Sequence, residues 1–483
     1  FDSSFLLHRG HETSGSRGAE SVGELRAMMT AMEEAKDKAK AQGLFVGDVD
    51  ELFIIKVAGG RQLQRTPLTL ACGQGNLEAV ELLLTAGADT MKPLPDASSC
   101  LFHACEGGHL EVAKRIFKET PALLMRARGD GTTCLWVACG QGHLEVAKWI
   151  LDVCESEEHR LALLHCPGVS GTTCLWIASQ EGHLEVVKLL AEKGGKLLLM
   201  KPMADGTSCL LVAAGKNHLE IVKFLYEAGG DDLLLLTRRD GASCLWVAAG
   251  KGNMEVVEYL DSVGHDALAM MCDAEGTSCL WIAAQEGHLA VVKYLESMWG
   301  QALLMRRKND GTSCIFVAVR KGNLEMVKEL YELGGDPLLM TMRMGNSSCL
   351  CDAVACGHAH IVQYLVEVGG EPLLMWHDAV GTTALWIAAR MGRIDVVKIL
   401  CEAGGEPLVT KAMSDGSTPL WIASVGGHTE VCAHLLSVAP AHVHACRTDG
   451  ASCLWMACQE GRLDTAKMLL GVGGRELLLK GNS

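Results

Sequence analysis

A Ser/Thr-x-Leu step recurs along this chain of 483 residues at a nearly fixed period. Its middle position falls at Pro67, Cys100, Cys134, Cys174, Cys209, Cys244, Cys279, Cys314, Cys349, Ala384, Pro419 and Cys453. From Cys174 to Pro419 every interval is 35 residues; the earlier ones are 33, 34 and 40, and the last is 34. A period of this size belongs to stacked supersecondary units that cannot bury a core alone. It also removes chain length as a guide to domain number.

The repeat over residues 276–300, "GTSCLWIAAQEGHLAVVKYLESMWG", reads as two short helices. Ser278 can cap the first by accepting from an orphan backbone N–H. Leu280, Ala283 and Ala284 follow at helical spacing. Gly287 suits the turn, because it tolerates positive φ. Leu289, Val292 and Leu295 make a second stripe, Gly300 ends it, and a looser stretch "QALLMRRKND" leads to the next cap. Helices of about eight to eleven residues are too short to persist alone in water, so each must bury its stripe against the next repeat.

Two segments carry a resemblance: "RTPLTLACGQGNLEAVELLLTAGAD" at 65–89 and "DGTTCLWVACGQGHLEVAKWIL" at 130–151. On these motifs the chain resembles the ankyrin repeat, D-x-x-G-x-T-P-L-H-x-A-A-x-x-G-H-L-E-V-V-x-x-L-L, over about residues 61–475. The S-C-L-W step is similar to that of long arrays in unicellular eukaryotes, algae among them. The resemblance implies an all-α solenoid of about twelve stacked helix-turn-helix units with hairpin-like fingers. It implies a non-enzymatic scaffold or adaptor that binds a protein partner through its concave face and fingers. The alternative is a permanent structural subunit of a large organellar or membrane-associated assembly, a chloroplast one included.

Three departures stand out. Cysteine replaces the family's proline in nine of the twelve repeats, giving up a residue pre-set for helix position N1. Tryptophan replaces the family's histidine at Trp136, Trp176, Trp246, Trp281, Trp386, Trp421 and Trp455, where an indole N–H could supply one donor. The finger is about two residues longer than usual and rich in leucine, so part of each run is expected to pack inward.

Residues 1–20 read as a flexible segment, 21–60 as a helical cap of two helices (the second over 48–60), and 61–483 as the array. "CESEEHR" at 154–160 reads as a polar insertion at a longer helix end. The chain opens on Phe1 without an apolar signal region and is expected to be processed or truncated.

Net charge is -15, which argues against general nucleic-acid binding. No run approaches the length of a membrane span. The chain has 21 cysteines, and thirteen fall at the ladder position or at the second alanine position of the first helix, another tight helix contact (Cys72, Cys105, Cys139, Cys458). They are expected to be packed free thiols in a reducing compartment, cytoplasmic or organellar with the chloroplast among the options, without disulfides between consecutive repeats. Cys349, Cys351 and Cys356, near His358 and His360, are weighed as metal ligands and assigned to packing. The repeated histidine before the second helix alternates with asparagine, so it reads as a turn-and-cap position. No phosphate loop, nucleophile elbow or zincin motif stands in a usable context. Neither catalytic residues, a metal site nor a cofactor is expected.

Basic residues gather on the first helices and fingers of repeats five to ten. A protein partner with an acidic segment would be favoured there by complementarity. The expected contact residues are Arg238, Arg239, Trp299, Arg306, Arg307, Arg320, Lys321, Trp376, Arg390 and Met391. Trp299 and Trp376 enter because no stacking need calls for an indole at their positions, and tryptophan is enriched at binding hot spots.

Overall fold

In a computed structural model the described residues are 49–56, 62–154 and 156–479. They divide into two compact bodies, one up to residue 138 and one from residue 139 on. In the first, Pro67–Gln74 pairs with Leu77–Thr85, and Cys100–Glu106 with Leu110–Glu119. The helix Cys134–Gly140 straddles the boundary. In the second, helix pairs run from Cys174–Glu181 with Leu184–Leu199 to Cys453–Gln459 with Leu463–Gly473. Successive first helices pack side by side within each body.

The N-terminal cap differs from expectation. Phe53–Lys56 is a strand, paired antiparallel with Gln62–Arg65 so that Phe53 faces Arg65 and Lys56 faces Gln62. Phe53, Ile54 and Ile55 are consecutive aromatic and β-branched residues, which favour a pleated backbone over a helical one. The expected flexible segment at 1–20 and the first of the two cap helices lie outside the described residues. The insertion at 154–160 is also more than a longer helix end. Ser156 caps a separate helix, Glu157–His165, whose Leu163 and Leu164 are buried.

Local chemistry sets the first helices. Thr173, Ser208, Ser243, Ser278, Ser348, Thr383, Thr418 and Ser452 each accept from the backbone N–H three residues on, at 3.1–3.3 Å. Such a cap contributes about 1 kcal/mol. Ser313 departs: its hydroxyl pairs with Thr341 at 2.8 Å in the next finger. Leu280, Ala283, Ala284, Val291, Val292 and Leu295 are all at most 1% exposed, so the two stripes of repeat seven close on their neighbours. Leu289 is only half-buried, and Val291 takes its place in the core.

The fingers are more ordered than the sequence suggests. In repeats four to ten the second helix does not end at its glycine; each spans 16 residues, from Leu184–Leu199 to Ile394–Val409. One residue breaks each, with φ between 45° and 60°, and the chain then re-enters a helical turn. The leucine run is that turn. Leu198 and Leu199, Leu233 and Leu234, Leu303 and Leu304, Leu338 and Leu339 are buried, as its apolar character requires. Pro337, Pro372 and Pro407 stand two residues after their breaks, where a restarted helix has no N–H to lose.

Six of the seven breaks are glycines; the seventh is His265, at φ 45° and ψ −152°. A side chain in that region costs about 1–3 kcal/mol. His265→Gly is therefore expected to stabilise the array by about 1 kcal/mol, read as a higher urea midpoint. An unchanged or lower midpoint would show that the imidazole repays its strain.

Candidate protein-binding face

The ladder cysteine has a specific bond. Cys100, Cys209, Cys244, Cys279, Cys314 and Cys349 each point Sγ at the carbonyl ten residues back, in the preceding finger turn, at 3.4–3.6 Å. Cys134 and Cys174 do the same eleven residues back, at 4.0 and 3.8 Å. A thiol can donate to that carbonyl and proline cannot, which accounts for the substitution. All 21 cysteines are free thiols. Burial pushes Cys209, Cys244, Cys279, Cys314, Cys349 and Cys453 up to about 12.

Two results follow. Iodoacetamide at pH 8 should label the exposed Cys356, Cys446 and Cys458 in the native protein and the ladder only after denaturation. Rapid native labelling of the ladder would contradict this packing. Because the folded thiols titrate above an unfolded cysteine, their contribution is complete below the unfolded pKa. It should disappear as pH rises toward about 12, so the melting temperature should fall through that window.

At five positions of the tryptophan ladder the indole does not replace the family's histidine donor. Trp176, Trp281 and Trp421 are 8% exposed. The Nε1 atoms of these three and of Trp246 and Trp386 are buried with no acceptor from the protein. The tie between repeats comes instead from the histidine before the second helix. Nε2 donates to the preceding repeat's first helix in His183 (Gly140 O, 3.1 Å), His218 (Gln180 O, 3.0 Å), His288 (Gly250 O, 3.2 Å) and His428 (Arg390 O, 3.1 Å). A carbonyl only accepts, so Nε2 carries the proton. The cap role read from the sequence is correct for Asn76 and Asn323. The histidines make no cap bond and act as cross-ties.

Fingers join by backbone. Arg239 N–H donates to Asp205 O, Ala274 to Asp240, Asn309 to Glu275, Met344 to Asp310, Ser414 to Val380 and Thr448 to Asp415, at 2.7–3.0 Å. Gly206 and Gly241, at φ 89° and 85°, lie so close that a Cβ would come within 2.9 Å of the next finger's backbone. This is where glycine is required rather than tolerated.

The ten expected contact residues sort by what their side chains touch. Arg238 is spent on Asp240, with Nε 3.0 Å from Oδ1. Arg306 donates to Met270 O and lies 3.2 Å from Cys272 Sγ. Trp299 donates from Nε1 to Asp261 Oδ1 at 2.7 Å, and Tyr294 donates to the other oxygen at 3.2 Å. Asp261 is 3% exposed, so the indole satisfies a buried carboxylate. Burial and that carboxylate push the Tyr294 phenol up to about 12. Trp376 donates to Asn346 O at 3.1 Å in the preceding finger. It shares a repeat position with Lys201, Arg306 and Lys411, all of which reach back to finger carbonyls. The premise that neither indole has an internal use is thus corrected for both. Arg239, Arg307, Arg320, Lys321, Arg390 and Met391 are exposed. Arg390 lies 5.4 Å from the Trp386 ring centroid.

The sequence did not single out the stacking of basic residues on the ladder indoles. Lys308 Nζ lies 5.1 Å from the Trp281 centroid, and Arg447 5.3 Å from Trp421. The signal was a finger cation 26 or 27 residues after a ladder tryptophan. A groove of about 390 Å³ opens beside Trp281, lined also by Gln285, Lys308, Asp310, Arg320 and Lys321. Burial would raise Asp310, yet hydrogen bonds at Thr312 and the nearby Lys308 and Arg343 hold it below the usual carboxylate range.

The cysteine–histidine group weighed for metal is dispersed among other tasks. Cys349 faces Leu339 O, His358 faces Arg320 O and His360 faces Gly322 O. Among the described residues no three His, Cys, Asp or Glu side chains gather as metal ligands. Nor, among them, is any helix long and apolar enough to cross a membrane.

The family described as ankyrin repeats (3 copies) matches the chain in overlapping segments that together run from residue 46 to 477. No curated protein matches it in sequence.

Proposed function

Because the chain belongs to the ankyrin-repeat family, whose repeats are protein-interaction modules, we propose that it is a non-enzymatic scaffold that holds a protein partner. The partner lies against the first helices and fingers of repeats five to ten and presents an acidic segment to them. The observation that supports this reading is the exposed run of Arg239, Arg307, Arg320, Lys321 and Arg390 on a chain of net charge -15. Arg320 and Arg390 share one repeat position, Lys321 stands beside it, and Arg239 and Arg307 lie on fingers of the same stretch. Opposed charge across a binding face speeds encounter and fixes register.

Arg238, Arg306, Trp299 and Trp376 have a different place in this reading. They hold the fingers and second helices in position, and the partner meets the residues around them. Affinity capture of the partner from the source cell, followed by titration of the purified pair, tests the proposal. The complex should weaken steeply with salt between 50 and 300 mM. An affinity indifferent to salt would remove the acidic-segment reading.

A further inference from the structure

The groove beside Trp281 differs from its counterparts along the array. In repeats four and seven the two residues before the turn glycine are Gln180 with Glu181 and Gln285 with Glu286; in repeat eight they are Arg320 with Lys321. A cation at a helix C-terminus is favoured by the dipole, but the glutamates at the equivalent positions show that the stack does not demand one. The neighbouring finger adds Lys308, held over the Trp281 ring. Arg343, from the next finger, lies 3.4 Å from the buried Asp352, so that pair compensates itself outside the groove lining. Three cations (Lys308, Arg320, Lys321) thus line the groove with one carboxylate, Asp310, and the surplus is two positive charges.

A carboxylate side chain would supply one charge and two oxygens. A phosphomonoester supplies about −1.5 to −2 and three strong acceptors. Guanidinium and ammonium groups on one rim suit the second, since arginine can engage two oxygens at once and lysine acts as a movable point charge. We infer that this groove seats a phosphorylated serine or threonine of the partner protein, with Arg320 and Lys321 on the phosphate and Lys308 held at the rim by the Trp281 indole. The inference rests on the reading of this face as the partner's seat and names the chemistry of one contact.

The test uses the full chain, immobilised, and degenerate peptide libraries with a fixed central phosphoserine, glutamate or serine at 150 mM salt. The phosphoserine library should be retained at least ten-fold more than the glutamate library. R320A/K321A should abolish that preference, and Lys188→Ala, on a second helix, should leave it intact. Melting curves of both variants establish that they are folded. Equal retention of the phosphoserine and glutamate libraries, or a preference that survives R320A/K321A, overturns the inference. Phosphoinositide-containing vesicles that bind through Arg320 and Lys321 while the phosphoserine library does not would assign the groove to a lipid and also overturn it. If the captured partner needs Arg320 and Lys321 but the libraries show no phosphate preference, the acidic-segment reading stands and the phosphate is refuted. If the libraries show the preference while the partner binds R320A/K321A unchanged, the groove's chemistry stands and the partner's seat is elsewhere.

Discussion

Trp299→Ala is expected to destabilise the array by about 2–3 kcal/mol while leaving partner affinity within two-fold. The side chain fills space over the end of its second helix and donates to Asp261, which is buried in the preceding repeat. Removing it discards packing and leaves a buried carboxylate with one donor fewer, a loss of about 1–3 kcal/mol from the unmet bond alone. Trp299→Phe should recover the packing part only. Asp261→Asn should cost less than Trp299→Ala, because a neutral amide oxygen can still accept from the indole. In an array, such damage weakens the interface between two neighbours, so it should appear as a lower-melting segment rather than a uniform shift. A Trp299→Ala protein with an unchanged melting profile and lost binding would return this residue to the contact surface.

The second large effect concerns charge. Reversing Arg307, Arg320, Lys321 and Arg390 to glutamate should weaken the captured partner by at least about 100-fold, or 2.7 kcal/mol. All four side chains are exposed, so the melting temperature should fall only slightly, by what the Arg390–Trp386 contact and the helix ends contribute. Reversing four lysines of the second helices, Lys148, Lys188, Lys223 and Lys293, applies the same change in net charge on another face. That variant should bind nearly as the parent does. Equal losses from both sets would mean that only net charge matters, and that no face has been selected.

The repeat, its caps and its turn glycines were legible because each is a local signal repeated many times. Ser278 and Gly287 occupy in the structure the roles that their spacing implies. What escaped the sequence was mainly non-local. Asp261 and Trp299 lie 38 residues apart; Trp299 replaces the glycine of its column, and Asp261 stands in a column with no usual residue. Trp299 was therefore the one available departure, and reading it without its partner made the indole look unemployed. The internal bond of Trp376 was hidden likewise, since its siblings Lys201 and Lys411 differ in chemistry yet share the task of reaching the previous finger. The finger turn was hidden because a glycine that ends one helix also permits the sharp break from which another begins. The thiol-to-carbonyl bond could not be read without knowing that this turn places a carbonyl against each ladder cysteine.

The central claim is that the partner sits on the first helices and fingers of repeats five to ten. A photo-crosslinking residue placed singly at position 321, and in a second protein at position 188, tests it in the native complex. Efficient crosslinks to the partner are expected from 321 and none above background from 188. Crosslinks from 188 with none from 321 would place the partner on the second helices and contradict it.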